Sequence, residues 1–114
     1  MTINQKIIET LIPYCDVVVP EFYEGNKETY ITFNKYSDRA TDFGDSVPVS
    51  NTVYVHVHLY APAHSNNLDL IAQIRGALLN AGFSWPTVEY DADKEHQHIV
   101  LDTQIEDNSN LEII

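Results

Sequence analysis

Two histidine pairs carry the plainest chemistry in this chain, His56-x-His58 and His96-x-His98. Residues two apart on a β-strand share a face, so each pair would set two imidazoles side by side. Four imidazole nitrogens brought together would hold zinc. The same spacing arises wherever a strand alternates between core and water, and nothing in the sequence makes the two strands neighbours. Two readings follow: a metal-binding module, or a polar strand face suited to a partly wet contact.

Other chemistry finds less to work with. Cys15 is the single cysteine, which excludes an internal disulfide and fits a reducing compartment. It follows a helical pattern and precedes an apolar run, where a small buried filler is expected, and no local motif pairs it with a histidine. Carboxylates are so plentiful that no two stand out as acid and base; a solvated acidic face is the plainer account. Glycine-rich phosphate loops are absent. No catalytic residue, cofactor or metal ligand is assigned, and the chain is not expected to be an enzyme.

Six basic against seventeen acidic side chains give a net charge of −11 with neutral histidines. Such a surface does not adhere to phosphate backbones over a broad area. Residues 76–114 hold eight acids against Lys94, a net of −7. The length of 114 residues with 44% apolar and 20% charged residues suits one domain, expected over residues 1–106 with a polar tail at 107–114. No apolar run approaches the roughly 20 residues of a membrane helix, and no basic-then-apolar leader opens the chain, so neither membrane insertion nor secretion is expected.

Elements must position these residues. Thr2 and Gln5 form a capping-box pattern ahead of the stripe Ile3, Ile7, Ile8 and Leu11, which predicts a helix over 3–12 ended by Pro13. Val17 to Tyr23 and Glu28 to Lys35 read as strands, joined by Glu24-Gly25-Asn26 as a hairpin. Ser37 to Ser50, with Gly44, Pro48 and three aspartates, reads as a long loop. Thr52 to Tyr60 alternates strictly: Val53, Val55, Val57 and Leu59 on one face, Tyr54, His56, His58 and Tyr60 on the other. That second face joins aromatic rings to polar tips, as protein–protein contacts do, or packs under a helix. The polar stretch His64-Ser65-Asn66-Asn67 offers an N-cap to a helix with the stripe Leu68, Ile71, Ala72, the aliphatic stem of Arg75, Leu78 and Leu79, and Gly82 its end. Strands near Thr87 to Asp91 and Gln97 to Ile105 complete the order α-β-β-β-α-β-β. The expected fold is α+β, a mainly antiparallel sheet with two helices packed on one face.

The stretch Tyr30-Ile31-Thr32-Phe33-Asn34-Lys35-Tyr36-Ser37-Asp38-Arg39, its acidic loop and Val53-Tyr54-Val55-His56-Val57 resemble the tail-terminator or tail-completion proteins of long-tailed phages and prophages of Gram-positive bacteria. Arg75-Gly76-Ala77-Leu78-Leu79-Asn80-Ala81-Gly82-Phe83 is similar to that family's helix end and Gly-Phe turn, and Asp91 to Ile105 to its closing strands. The resemblance implies a virion structural protein, located at the head-proximal end of the tail and in the host cytoplasm during assembly. Such a subunit caps the tail tube as a homo-oligomeric ring, a hexamer, stops its growth and offers the surface that the head connector protein binds. Its partners would be its own copies, the tail tube protein and the connector, with DNA passing through without specific binding. A head–tail joining protein of the same general fold is the alternative, beside the metal-binding module. Candidate subunit or tube contacts are Asp38, Arg39, Asp42 and Asp45 in the loop and Tyr54, His56, His58 and Tyr60 on the strand face.

Overall fold

A computed structural model describes residues 2–44 and 47–107. The elements run α1 (Ile3–Leu11), β1 (Val18–Pro20), β2 (Tyr30–Gly44), β3 (Val47–Pro62), α2 (Leu68–Asn80), β4 (Thr87–Ala92) and β5 (His96–Glu106). This is the expected α+β order. The five strands form one sheet in the order β1-β2-β3-β5-β4. The contacts β2–β3, β3–β5 and β4–β5 are antiparallel, and β1 lies parallel to β2.

Alternation sorts the sheet into two faces. Ile31 and Phe33 of β2, Val53, Val55, Val57 and Leu59 of β3, and Ile99, Leu101 and Ile105 of β5 are buried in one core with Ile7 and Leu11 of α1 and Ile71, Ile74 and Leu78 of α2. Both helices therefore cover the same face. In α1 the capping box is closed in both directions: Gln5 N–H donates to Thr2 Oγ1 at 3.1 Å, and Thr2 N–H to Gln5 Oε1 at 2.9 Å. Pro13 follows directly on the capping residue, Ile12.

In α2 the buried stripe is Ile71, Ile74 and Leu78 rather than the one expected, since Leu68 and Leu79 are exposed. Arg75 is half-buried, with its head group turned to the entry of the next strand. Its guanidinium lies 4.7 Å over the Trp85 ring and donates from Nη2 to the Pro86 carbonyl at 2.7 Å, tying α2 to the entry of β4. The side chain of Asn67 makes no cap bond; Asn66 Oδ1 instead accepts from Leu68 N–H at 3.2 Å. Gly82 lies one residue beyond the cap at φ 101°, a left-handed conformation that lets Phe83 turn back and donate to the Leu78 carbonyl at 3.0 Å.

Two expectations about the strands fail as well. Val17 to Tyr23 and Glu28 to Lys35 do not make a hairpin: the first strand is only Val18–Pro20, and it pairs with Ile31–Phe33 in the parallel sense. Glu21, at φ 66°, sits where the chain leaves this edge. Ser37 to Ser50 is not a loop: β2 runs on to Gly44, and β3 starts at Val47. The pairing slips between Lys35 and Ser37, between Ala40 and Asp42, and between Asp42 and Phe43, and each slip breaks the two-residue period. Beyond the rung Arg39↔Thr52, where β5 ends opposite Thr52, the rungs Ala40↔Asn51, Asp42↔Ser50, Phe43↔Pro48 and Gly44↔Val47 form a ribbon of two strands. The molecule is correspondingly elongated, 54 × 23 × 22 Å.

Candidate functional site

The face opposite the helices carries the chemistry. Tyr54, His56, His58 and Tyr60 of β3 point to it, because Val53, Val55, Val57 and Leu59 take the core. On β5 the register sets Gln104, Asp102, Val100 and His98 opposite those four residues, and on β2 it sets Tyr30, Thr32 and Asn34 opposite Tyr60, His58 and His56. At the slip between Lys35 and Ser37, Tyr36 joins this face and stacks on His56, with ring centres 4.0 Å apart. No helix of the described residues covers it.

The rings form a row across the strands. Tyr23 meets Tyr30 at 4.7 Å, Tyr30 stacks on Tyr60 at 4.8 Å, Tyr60 on His98 at 4.5 Å, and His98 on His58 at 5.1 Å. The last three pairs are stacked, with ring planes 18°, 6° and 27° apart, whereas Tyr23 is tilted by 45° against Tyr30. A nucleobase or sugar that binds by stacking finds few open ring faces in the stacked part of the row.

The four histidines do not converge. His58 and His98 meet, with His58 Nδ1 2.8 Å from His98 Nε2, while His58 Nε2 lies 3.0 Å from Asn34 Oδ1. His56 Nε2 lies 3.9 Å from Asp102 Oδ1, and His96 Nδ1 lies 3.8 Å from Asp93 Oδ1 in the turn before β5. The reason is antiparallel register: His58 pairs with Val100 and Tyr60 with His98, so one member of each His-x-His pair meets the other on a diagonal and the remaining two diverge. No group of three or more His, Cys, Asp or Glu side chains is arranged to hold a metal ion among the described residues.

Electrostatics follow the geometry. Partial burial holds His58 below the usual imidazole range, and the neighbouring His98 and His56 push it further. Tyr36 donates to Asp102 Oδ1 at 2.7 Å, which holds its phenol above the usual range. Burial does the same for Tyr60. A cleft of about 290 Å³ beside the row is lined by Tyr30, Tyr60, His98, His96, Asp91 and Asp93. Asp93 is occupied by the backbone N–H groups of Glu95 and His96, at 2.8 and 2.7 Å, which lower its pKa. Cys15 is the buried filler, its thiol 3.4 Å from the Val17 carbonyl and its pKa raised by burial.

Against models of protein families and against curated proteins, the chain has no match.

Of the contact candidates, Tyr54, His56, His58 and Tyr60 share the open face. Arg39 lies 4.7 Å over the Tyr54 ring at the root of the ribbon, and exposed Asp38 accepts a hydrogen bond from Asn51 Nδ2. Asp42 belongs to the ribbon by its backbone pairing; Asp45 lies outside the described residues. Sequence reasoning missed the roles of Asn34, Tyr36 and Asp102, which hydrogen-bond on this face beside the His58–His98 contact. The alternation of Tyr30, Thr32 and Asn34 with Ile31 and Phe33 carried a signal for the first of them.

Proposed function

We propose that the chain is a phage tail terminator, a structural protein that caps the tail tube as a ring, stops its growth and offers the surface for head joining. The reading rests on the resemblance of residues 30–105 to that family and on one observation above the rest, the two-stranded ribbon that extends β2 and β3 past the other strands. A two-stranded ribbon is marginal in water by itself. Against a neighbouring copy it would be covered, and a head-to-tail contact of that kind repeats around an axis until the ring closes. The open face of hydroxyls and imidazoles is then the second contact surface, for the tube or the connector. The net charge of −11 suits a pore that DNA slides through, because like charge keeps the duplex from adhering.

Two measurements test the reading. The purified protein should have the solution mass of a closed oligomer and show rings in electron micrographs, with six copies expected. Removing the protein from its phage should leave tails that overrun their set length and carry no heads, and adding it back should restore both. Tails of normal length already joined to heads would overturn the assignment. Tails of normal length without heads would make it a joining protein that acts after length is fixed.

A further inference from the structure

The hydrogen bonds around His58 fix where its protons sit. Asn34 Oδ1 can only accept, so His58 Nε2 carries a hydrogen toward it at 3.0 Å. In the neutral ring Nδ1 is then a lone pair, and the hydrogen in the 2.8 Å contact must come from His98 Nε2. The chain of donors therefore runs from His98 Nε2–H to His58 Nδ1 and from His58 Nε2–H to Asn34, joining β5, β3 and β2. Neutral His98 has its lone pair on Nδ1, which meets no hydrogen-bond partner among the described residues.

Two further protons can be added, with opposite results. One placed on His98 Nδ1 leaves every hydrogen bond in place and makes the donor to His58 a cation, which strengthens that bond. One placed on His58 Nδ1 removes the only acceptor of the contact and sets two cations against each other. We propose that His58 and His98 form a two-proton latch across β3 and β5, which stays closed through the first protonation and opens with the second.

The surroundings agree with this order. On β4, Asp91 pairs with His98 and Glu89 with Val100, so carboxylates stand on the His98 side of the pair, while Asp93 in the turn and Asp102 on β5 lie against His96 and His56. On the other side His56 stands next to His58 along β3, ring centres 5.9 Å apart. The phenols of Tyr36 on β2 and Tyr60 on β3, held above their usual range, stay uncharged while imidazoles titrate. The direction of the His58 shift, downward from burial and from its two histidine neighbours, fits the same sequence. Such a pair takes up its protons in two steps that belong to the pair. The latch is a property of the subunit's own face and holds whether or not the chain forms rings.

Nitrogen NMR of the full chain with labelled imidazoles tests it. At neutral pH a coupling across the hydrogen bond should link His98 Nε2 to His58 Nδ1, survive protonation of His98 and vanish when His58 is protonated. The two midpoints should differ by about one pH unit or more, tenfold in proton affinity. His98→Gln keeps a donor and removes the charge, so the His58 midpoint should rise. Absence of the coupling, simultaneous titration of the two rings, or a His58 midpoint unmoved in His98→Gln would each overturn the latch.

Discussion

At the scale of single residues, the sheet's two faces make contrasting demands. Val57 is fully buried at the centre of β3. A carboxylate there has no partner and must lose its hydration, so Val57→Asp should cost more than about 4 kcal/mol and prevent soluble folding; a soluble variant with the parent's melting temperature would contradict its place in the core. His58, across the same strand, has a different vulnerability. Folding lowers its proton affinity, so the unfolded chain binds the proton more tightly and acid favours unfolding. Its contribution is complete above the ordinary imidazole value of 6.5 and is lost as pH falls through the lower folded value. Melting curves from pH 8 to pH 4 should show the parent losing more stability as pH falls below 6.5 than His58→Gln does. Equal slopes would mean that the ring titrates as it does in the unfolded chain.

At the scale of elements, the two glycines around α2 separate space from conformation. A Cβ at Gly76, inside the helix, would meet no atom within 4 Å, so Gly76→Ala should stabilise by about 0.5–1 kcal/mol through the unfolded chain's lost freedom. A Cβ at Gly82 would also find room, with its nearest neighbour at 3.8 Å, but φ there is 101°. Gly82→Ala should therefore destabilise by about 1 kcal/mol or more. Denaturant titrations of the two variants check the opposite signs. Removing residues 41–47 shortens the ribbon; helical and sheet circular dichroism should persist, and the ring proposed above should give way to a smaller mass. An unchanged mass would show that the ribbon takes no part in assembly.

The strand Thr52–Tyr60 was legible because burial on one side imposes the two-residue period. The same reasoning failed over Ser37 to Ser50 for a physical cause. A ribbon with no third strand has no core face to keep apolar, and the slips beside Tyr36 and Asp42 shift whatever alternation remains. The direction of β1 was illegible for another reason: a three-residue strand ending in Pro20 carries no periodicity that tells parallel from antiparallel. Residue types on the open face could be read from β3 alone. The meeting of His58 with His98 could not, because cross-strand register arises from the packing of the whole sheet.

At the scale of the whole molecule, the helices leave one broad face bare, and the contact proposed for it has a simple test. Replacing both His56 and His58 by Ala removes two partly exposed rings and no core residue, so cooperative unfolding should persist while binding to tail tubes weakens in co-sedimentation. Loss of the fold itself would mean that the ring row is structural.

Trp85 is the only tryptophan, half exposed beneath Arg75 where α2 is fastened to the entry of β4. Its emission is thus an optical signal from one end of the sheet, quenched or shifted when that helix undocks. The Tyr30–Tyr60–His98 stack at the other end gives an independent signal in near-ultraviolet circular dichroism, since coupled aromatic rings are chiral only while their geometry is fixed. Followed together during denaturation, the two should trace one transition if the chain unfolds as a single cooperative unit. A tyrosine signal that fades first would make the open face a separate, softer region, ready to reshape itself around whatever binds there.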